Sequence, residues 1–83
     1  MVDQMFYYTY VLKSIFDGKL YIGWTDNLEK RISQHNRGLV LATKFRTPFD
    51  IIYYEACISK NKAIQREKQL KSGYGRAYLK RRL

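Results

Sequence analysis

The 83-residue chain is poor in the residues that staple small domains. It has one cysteine, Cys57, so no internal disulfide can form. It has one histidine, and one Cys with one His cannot build a structural zinc site. No apolar run approaches the ~18 residues of a membrane span. The start lacks the charged n-region and apolar centre of a secretory signal. A glycine-rich phosphate loop and a dinucleotide fingerprint are both missing. These absences lead us to expect a cytoplasmic domain, 1–83, folded on its hydrophobic core alone. Cys57 sits in the strand-like run Ile51–Ile58 and is expected to be a buried, inert thiol.

Acid is also scarce. Sixteen lysines and arginines face seven acids, a formal charge of +9. Such a field favours a polyanion, most simply nucleic acid. From Lys60 onward there are nine basic residues and a single acid, Glu67. A solvated basic helical face explains most of those lysines. It does not explain the lone carboxylate.

What is present is aromatic and periodic. Residues 6–13, rich in aromatic and β-branched side chains, predict a strand. Asp17-Gly18 is a hairpin turn signal. Leu20–Trp24 predicts the second, antiparallel strand. Asp26, with Glu29 three residues on, has the spacing of a capping box opening a helix. Leu28 and Ile32 give that helix its apolar stripe, and Gly38 should close it in a left-handed conformation. Residues 39–48 read as a basic loop. Phe49–Ile58 reads as a third strand, central or well covered because its run is apolar. Ser59 should cap a second helix reaching about Ser72. Gly73 and Gly75 break the chain, and Arg76–Leu83 forms a short terminal helix. The order ββαβαα predicts an α+β sandwich, three antiparallel strands flanked by three helices.

Few residues could carry chemistry. Glu67 shares a helix face with Ala63, Ile64 and Leu70, where a carboxylate is costly unless paired or liganded. An ion pair with Lys71 at i+4 is one reading; a ligand for Mg²⁺ is the other. Arg31 and His35, four apart, project from one helix face. They could be a surface arginine and a half-buried histidine. Together they could clamp a phosphate through the guanidinium fork and relay a proton. Tyr7, Tyr53 and Tyr54 look like strand packing. Tyr10 and Tyr21 could share one face of the hairpin and position a water. An unperturbed phenol is a poor base at neutral pH, so they would need a cation to help.

The segments Tyr8-Thr9-Tyr10-Val11-Leu12 and Leu20-Tyr21-Ile22-Gly23 resemble the two halves of the GIY-YIG nuclease signature. Asn27–Asn36 is similar to that family's arginine helix, and Ala63–Lys71 to its metal-carboxylate helix. The resemblance runs from about residue 6 to 80, and is to the short stand-alone bacterial members. It departs at Tyr8 and Thr9, where the family name has Gly and Ile. No asparagine follows the metal helix in residues 73–83, though some members place one there.

The resemblance implies a metal-dependent DNA endonuclease or structure-selective DNA nuclease core. Tyr10, Tyr21 and His35 would prepare water, and Gly23 would let the backbone pass close. Arg31 would stabilise the phosphate, and Glu67 would hold Mg²⁺ or Mn²⁺. Branched or damaged DNA, a place in DNA repair and a protein partner supplying specificity go with that reading. Lys44, Arg46, Arg76, Lys80, Arg81 and Arg82 are the expected phosphate contacts. The alternatives are a non-catalytic nucleic-acid-binding module of the same fold, and a small basic interaction protein bound, for example, to ribosomal RNA.

Overall fold

A computed structural model describes residues 5–83. The elements run β1 (Tyr7–Ser14), β2 (Leu20–Thr25), α1 (Leu28–Asn36), β3 (Phe49–Cys57), α2 (Lys60–Lys71) and α3 (Gly73–Arg82). The expected ββαβαα order and antiparallel sheet are both present. The strand order is β2-β1-β3, so β1 is central and carries the sequence's most buried stretch, Thr9–Leu12.

Strand alternation sends β1 side chains to two layers. Tyr10 and Leu12 pack with Phe49 against Tyr21 and against Leu28 and Ile32 of α1. On the opposite face Val11 packs with Leu70 of α2 and Leu79 of α3, beside Ile22, Ile52 and Tyr53. Leu12, Leu70 and Leu79 are fully or almost fully buried, each worth roughly 1.5–3 kcal/mol of burial. Thr9 is tied to the same layer, its hydroxyl donating to the Ala63 carbonyl at 2.9 Å.

Three expectations are corrected. β3 is an edge strand, not a central one, and Ile51, Tyr54, Ala56 and Ile58 at and just beyond it are exposed. A register shift between Val11 and Leu12 marks a bulge at Ile52. Cys57 at its end is half-buried rather than buried, its thiol directed to the Ser59 carbonyl. The cap of α1 is Asn27 rather than Asp26. The Asn27 side chain accepts from the Lys30 N–H at 3.1 Å, and Thr25 Oγ1 accepts from the Asn27 N–H. Gly38 has the expected left-handed φ of +73°.

A fourth correction concerns the terminal helix. Ser72 ends α2 and caps α3, its hydroxyl accepting from the Gly75 N–H. Gly73 and Gly75 therefore begin a helix instead of breaking one. A Cβ on Gly75 would run into the Gln69 carbonyl and the Leu70 backbone. The missing side chain lets α3 turn tightly against the end of α2. A polar network then clamps both helices to β3. Arg66 makes bonds of 3.0–3.1 Å with the Glu55 carboxylate. Tyr53 O–H donates to the same carboxylate at 2.6 Å. The Arg66 and Arg82 guanidinium groups lie over the Tyr78 ring. Burial alone would raise the Glu55 pKa, but the bonds from Arg66 and Tyr53 hold it below its ordinary value.

Gly75→Ala should therefore destabilise the fold by about 1–3 kcal/mol, the usual cost of overpacking. Urea denaturation checks this. Gly73→Ala, where a Cβ meets nothing within 4 Å, should be tolerated.

Candidate active site

The hairpin register places the first part of the site. Tyr10 pairs with Gly23, and Leu12 with Tyr21. Tyr10 and Tyr21 are thus diagonal neighbours on the α1 face, with ring centroids 6.5 Å apart. They share a face as anticipated, with Gly23 rather than Tyr21 directly opposite Tyr10. A Cβ on Gly23 would stand 2.6 Å from the Tyr10 hydroxyl and 3.2 Å from Tyr21 Cε1. The glycine makes room for both phenols at once.

α1 supplies the next part. His35 is 0 % exposed and packs against both tyrosines and Phe49. Its Nε2 lies 2.8 Å from Tyr10 Oη and its Nδ1 2.7 Å from Thr43 Oγ1. Thr43, also 0 % exposed, reaches the Val40 carbonyl at 3.5 Å. A proton order satisfying the whole chain runs from Thr43 O–H to Val40 O, from His35 Nδ1–H to Thr43, and from Tyr10 O–H to His35 Nε2. Burial, with the Arg31 charge as a second cause, pushes the His35 pKa down to about 4. The imidazole is neutral at pH 7.

Arg31 lies one helical turn before His35. Its Nη1 donates to Gln34 Oε1 at 3.1 Å. A cleft of about 400 Å³ beside it is lined by Trp24, Thr25, Asp26, Asn27, Lys30, Arg31 and Gln34. Burial raises the Tyr10 pKa and Arg31 opposes that rise. The charges of Tyr21 and Glu67 add to it. The Glu67 contribution is the smallest of these, and α2 packs on the other face of the sheet. Its side chain is 18 % exposed, and Lys71 Nζ stands 3.6 Å from Oε2.

Tyr10, Tyr21, Gly23, Arg31 and His35 are brought together, while Glu67 stands on α2, which packs on the other face of the sheet. The expected phosphate contacts divide. Lys44 is exposed, over the Phe45 ring. Arg46 is already engaged, 2.8 Å from Asp17 Oδ2 and over the Phe49 ring. That bond holds the Asp17 pKa down to about 2. Arg76 and Lys80 line a groove beside β2. Arg81 is exposed, and Arg82 stacks on Tyr78. Thr43 was not singled out from the sequence. The one available signal was physical, since a buried histidine needs a partner on each nitrogen. Among the described residues no three His, Cys, Asp or Glu side chains gather as a metal cage.

Comparison with known proteins identifies the family. The family model described as the GIY-YIG catalytic domain matches residues 6–81. The chain belongs to the GIY-YIG nuclease family. A UPF0213 protein of Clostridium perfringens is 45 % identical over 65 residues, covering 77 % of this chain and 69 % of that one. A UPF0213 protein of Natronomonas pharaonis is 42 % identical over 67 residues, covering 80 % and 78 %. The solution NMR structure of a UPF0213 protein from Bacillus halodurans matches with a TM-score of 0.55 at 32 % identity, covering 90 % of this chain and 82 % of that one. Among the described residues no helix is long and apolar enough to cross a membrane.

Two outcomes follow for this GIY-YIG domain. His35 binds fewer protons folded than unfolded between about pH 6.5 and pH 4. Its contribution is full above pH 6.5 and lost as pH falls toward 4. Thermal melts should drop across that window, and His35→Gln should flatten the drop. Gly23→Ala should displace the Tyr10 phenol and cost about 1–3 kcal/mol, with the near-UV tyrosine signal changing in parallel.

Proposed function

We propose that this GIY-YIG domain hydrolyses DNA phosphodiester bonds with the help of one divalent metal ion. The reading rests on one observation. Two phenols and a buried histidine pack together on the α1 face of the hairpin beside Gly23, with Arg31 one helical turn before the histidine.

The donor set fits the metal. Mg²⁺ is commonly bound through one or two carboxylates, with water and substrate phosphate completing its shell. Glu67, partly exposed and 3.6 Å from Lys71 Nζ, can supply that carboxylate. Mg²⁺ or Mn²⁺ bound there would polarise a phosphoryl oxygen and acidify water.

The chain's own residues divide the remaining work. Tyr21 is half-buried and Tyr10 is 1 % exposed. Tyr21 is therefore the phenol that meets the attacking water. Tyr10, with its raised pKa and its bond to His35, stays protonated and holds the site in register. Arg31 presents a planar fork to the phosphate and offsets charge building on its oxygens in the transition state. Lys44, Arg76, Lys80 and Arg81 hold the DNA backbone through contacts that weaken with salt.

The Lys71–Glu67 ion pair also suits a second reading, a DNA-binding module of the same fold without activity. Glu67→Gln separates the two. In single-turnover assays with Mg²⁺ it should abolish cleavage and leave DNA affinity intact or slightly higher. A parental rate would make Glu67 only an ion-pair partner. Arg31→Ala should slow cleavage by on the order of 10²-fold with an unchanged melt, and Arg31→Lys should recover part of the loss. Equal loss of rate and melting temperature would make Arg31 structural.

A further inference from the structure

A second concavity borders the candidate active site at Tyr21. It occupies about 980 Å³ between the β1–β2 turn and the helices α2 and α3. Leu20, Ile22 and Leu83 give it an accessible apolar floor over the buried Leu70 and Leu79, and Lys19, Lys71, Arg76 and Lys80 line it with cations. No acidic residue lines it. Two of its walls are residues described above: Tyr21, and Lys71, which stands 3.6 Å from Glu67. The groove thus borders the candidate site at Tyr21 and at Lys71.

An apolar floor beneath a cationic rim suits one form of nucleic acid better than another. In a duplex the base faces are stacked on one another, and the surface offered to a protein is largely phosphate. The leucines would gain little from it. An unpaired strand exposes base faces, which lose water against an apolar surface while the phosphates meet the cations. Arg76 and Lys80, four residues apart on α3, stand at the spacing of one helix face. We propose that this groove binds an unpaired DNA strand, so that the substrate is DNA carrying a single-stranded arm next to the cleaved bond.

The proposal builds on the nuclease reading, and a binding measurement separates the two. Fluorescence anisotropy in EDTA compares a labelled blunt duplex with the same duplex bearing a single-stranded arm. The parent protein should bind the armed DNA about tenfold more tightly, the scale of burying one or two bases. Leu20→Asp and Leu83→Asp put a negative charge on the floor at side chains that are already 40 % and 54 % exposed, so melts should stay near the parent's. Both should lose most of the arm preference while blunt-duplex affinity changes by less than about twofold. Arg76→Gln with Lys80→Gln, on exposed positions of α3, leaves the floor intact and should weaken binding of both DNAs, the armed one by severalfold more.

Equal affinity for both DNAs overturns the groove assignment, as does an arm preference that survives every variant. A concentration-dependent dimer in sedimentation, abolished by Leu83→Asp, would assign the groove to a second copy of the chain and also overturn it. A protein that cleaves blunt and armed DNA alike sinks the groove alone. One that prefers armed DNA but cleaves nothing sinks the nuclease reading alone.

Discussion

The hydrogen bond between the Tyr10 hydroxyl and His35 Nε2 joins the central strand to α1 inside the core, where neither group can be repaired by water. A buried polar atom without a partner costs about 1–3 kcal/mol. Each member of the chain Tyr10–His35–Thr43 therefore requires the next. Thr43 must stand in the loop after α1, and α1 must end near the start of β3. Asn36 secures that approach by exchanging two bonds with the Phe49 backbone, at 2.7 and 3.2 Å. Gly23 must lack a side chain because the phenol occupies its place. One interaction thus constrains both strands of the hairpin, the helix and the loop.

The same arrangement explains the electrostatics. Arg31 lies near enough to a buried imidazole to help hold it neutral, and near enough to Tyr10 to oppose the rise in its pKa. A neutral histidine leaves the Arg31 charge uncontested at the site mouth, where a phosphate would use it. Glu67 stands on α2 in the other layer. The two faces of a small sheet thus carry the residues of the proposed site, although their hydrophobic clusters are separate.

Much of this was legible in the sequence. The hairpin was marked by strand composition on either side of Asp17-Gly18, and the i, i+4 spacing put Arg31 and His35 on one helix face. Glu67 stood out as the only acid in a basic stretch. What was hidden depended on contacts between distant segments. An apolar run cannot reveal whether a strand has a neighbour on both sides, so β3 was read as central. Gly73 and Gly75 were read as breakers because glycine disfavours helix interiors; close packing on Leu70 outweighs that cost. Thr43 is one polar residue in a loop, and its role exists only because His35 is buried above it. Arg46 looked free in the sequence and is spent on Asp17, far away along the chain but adjacent across the turn.

Because the chain contains one histidine, the central claim has a direct readout without assignment. Long-range ¹H–¹⁵N NMR of the imidazole, recorded from pH 7.5 downward, reports both charge and tautomer. The account predicts a neutral ring, protonated on Nδ1, that persists below pH 5 and titrates near 4. A ring that titrates near 6.5, as an exposed histidine does, would contradict it.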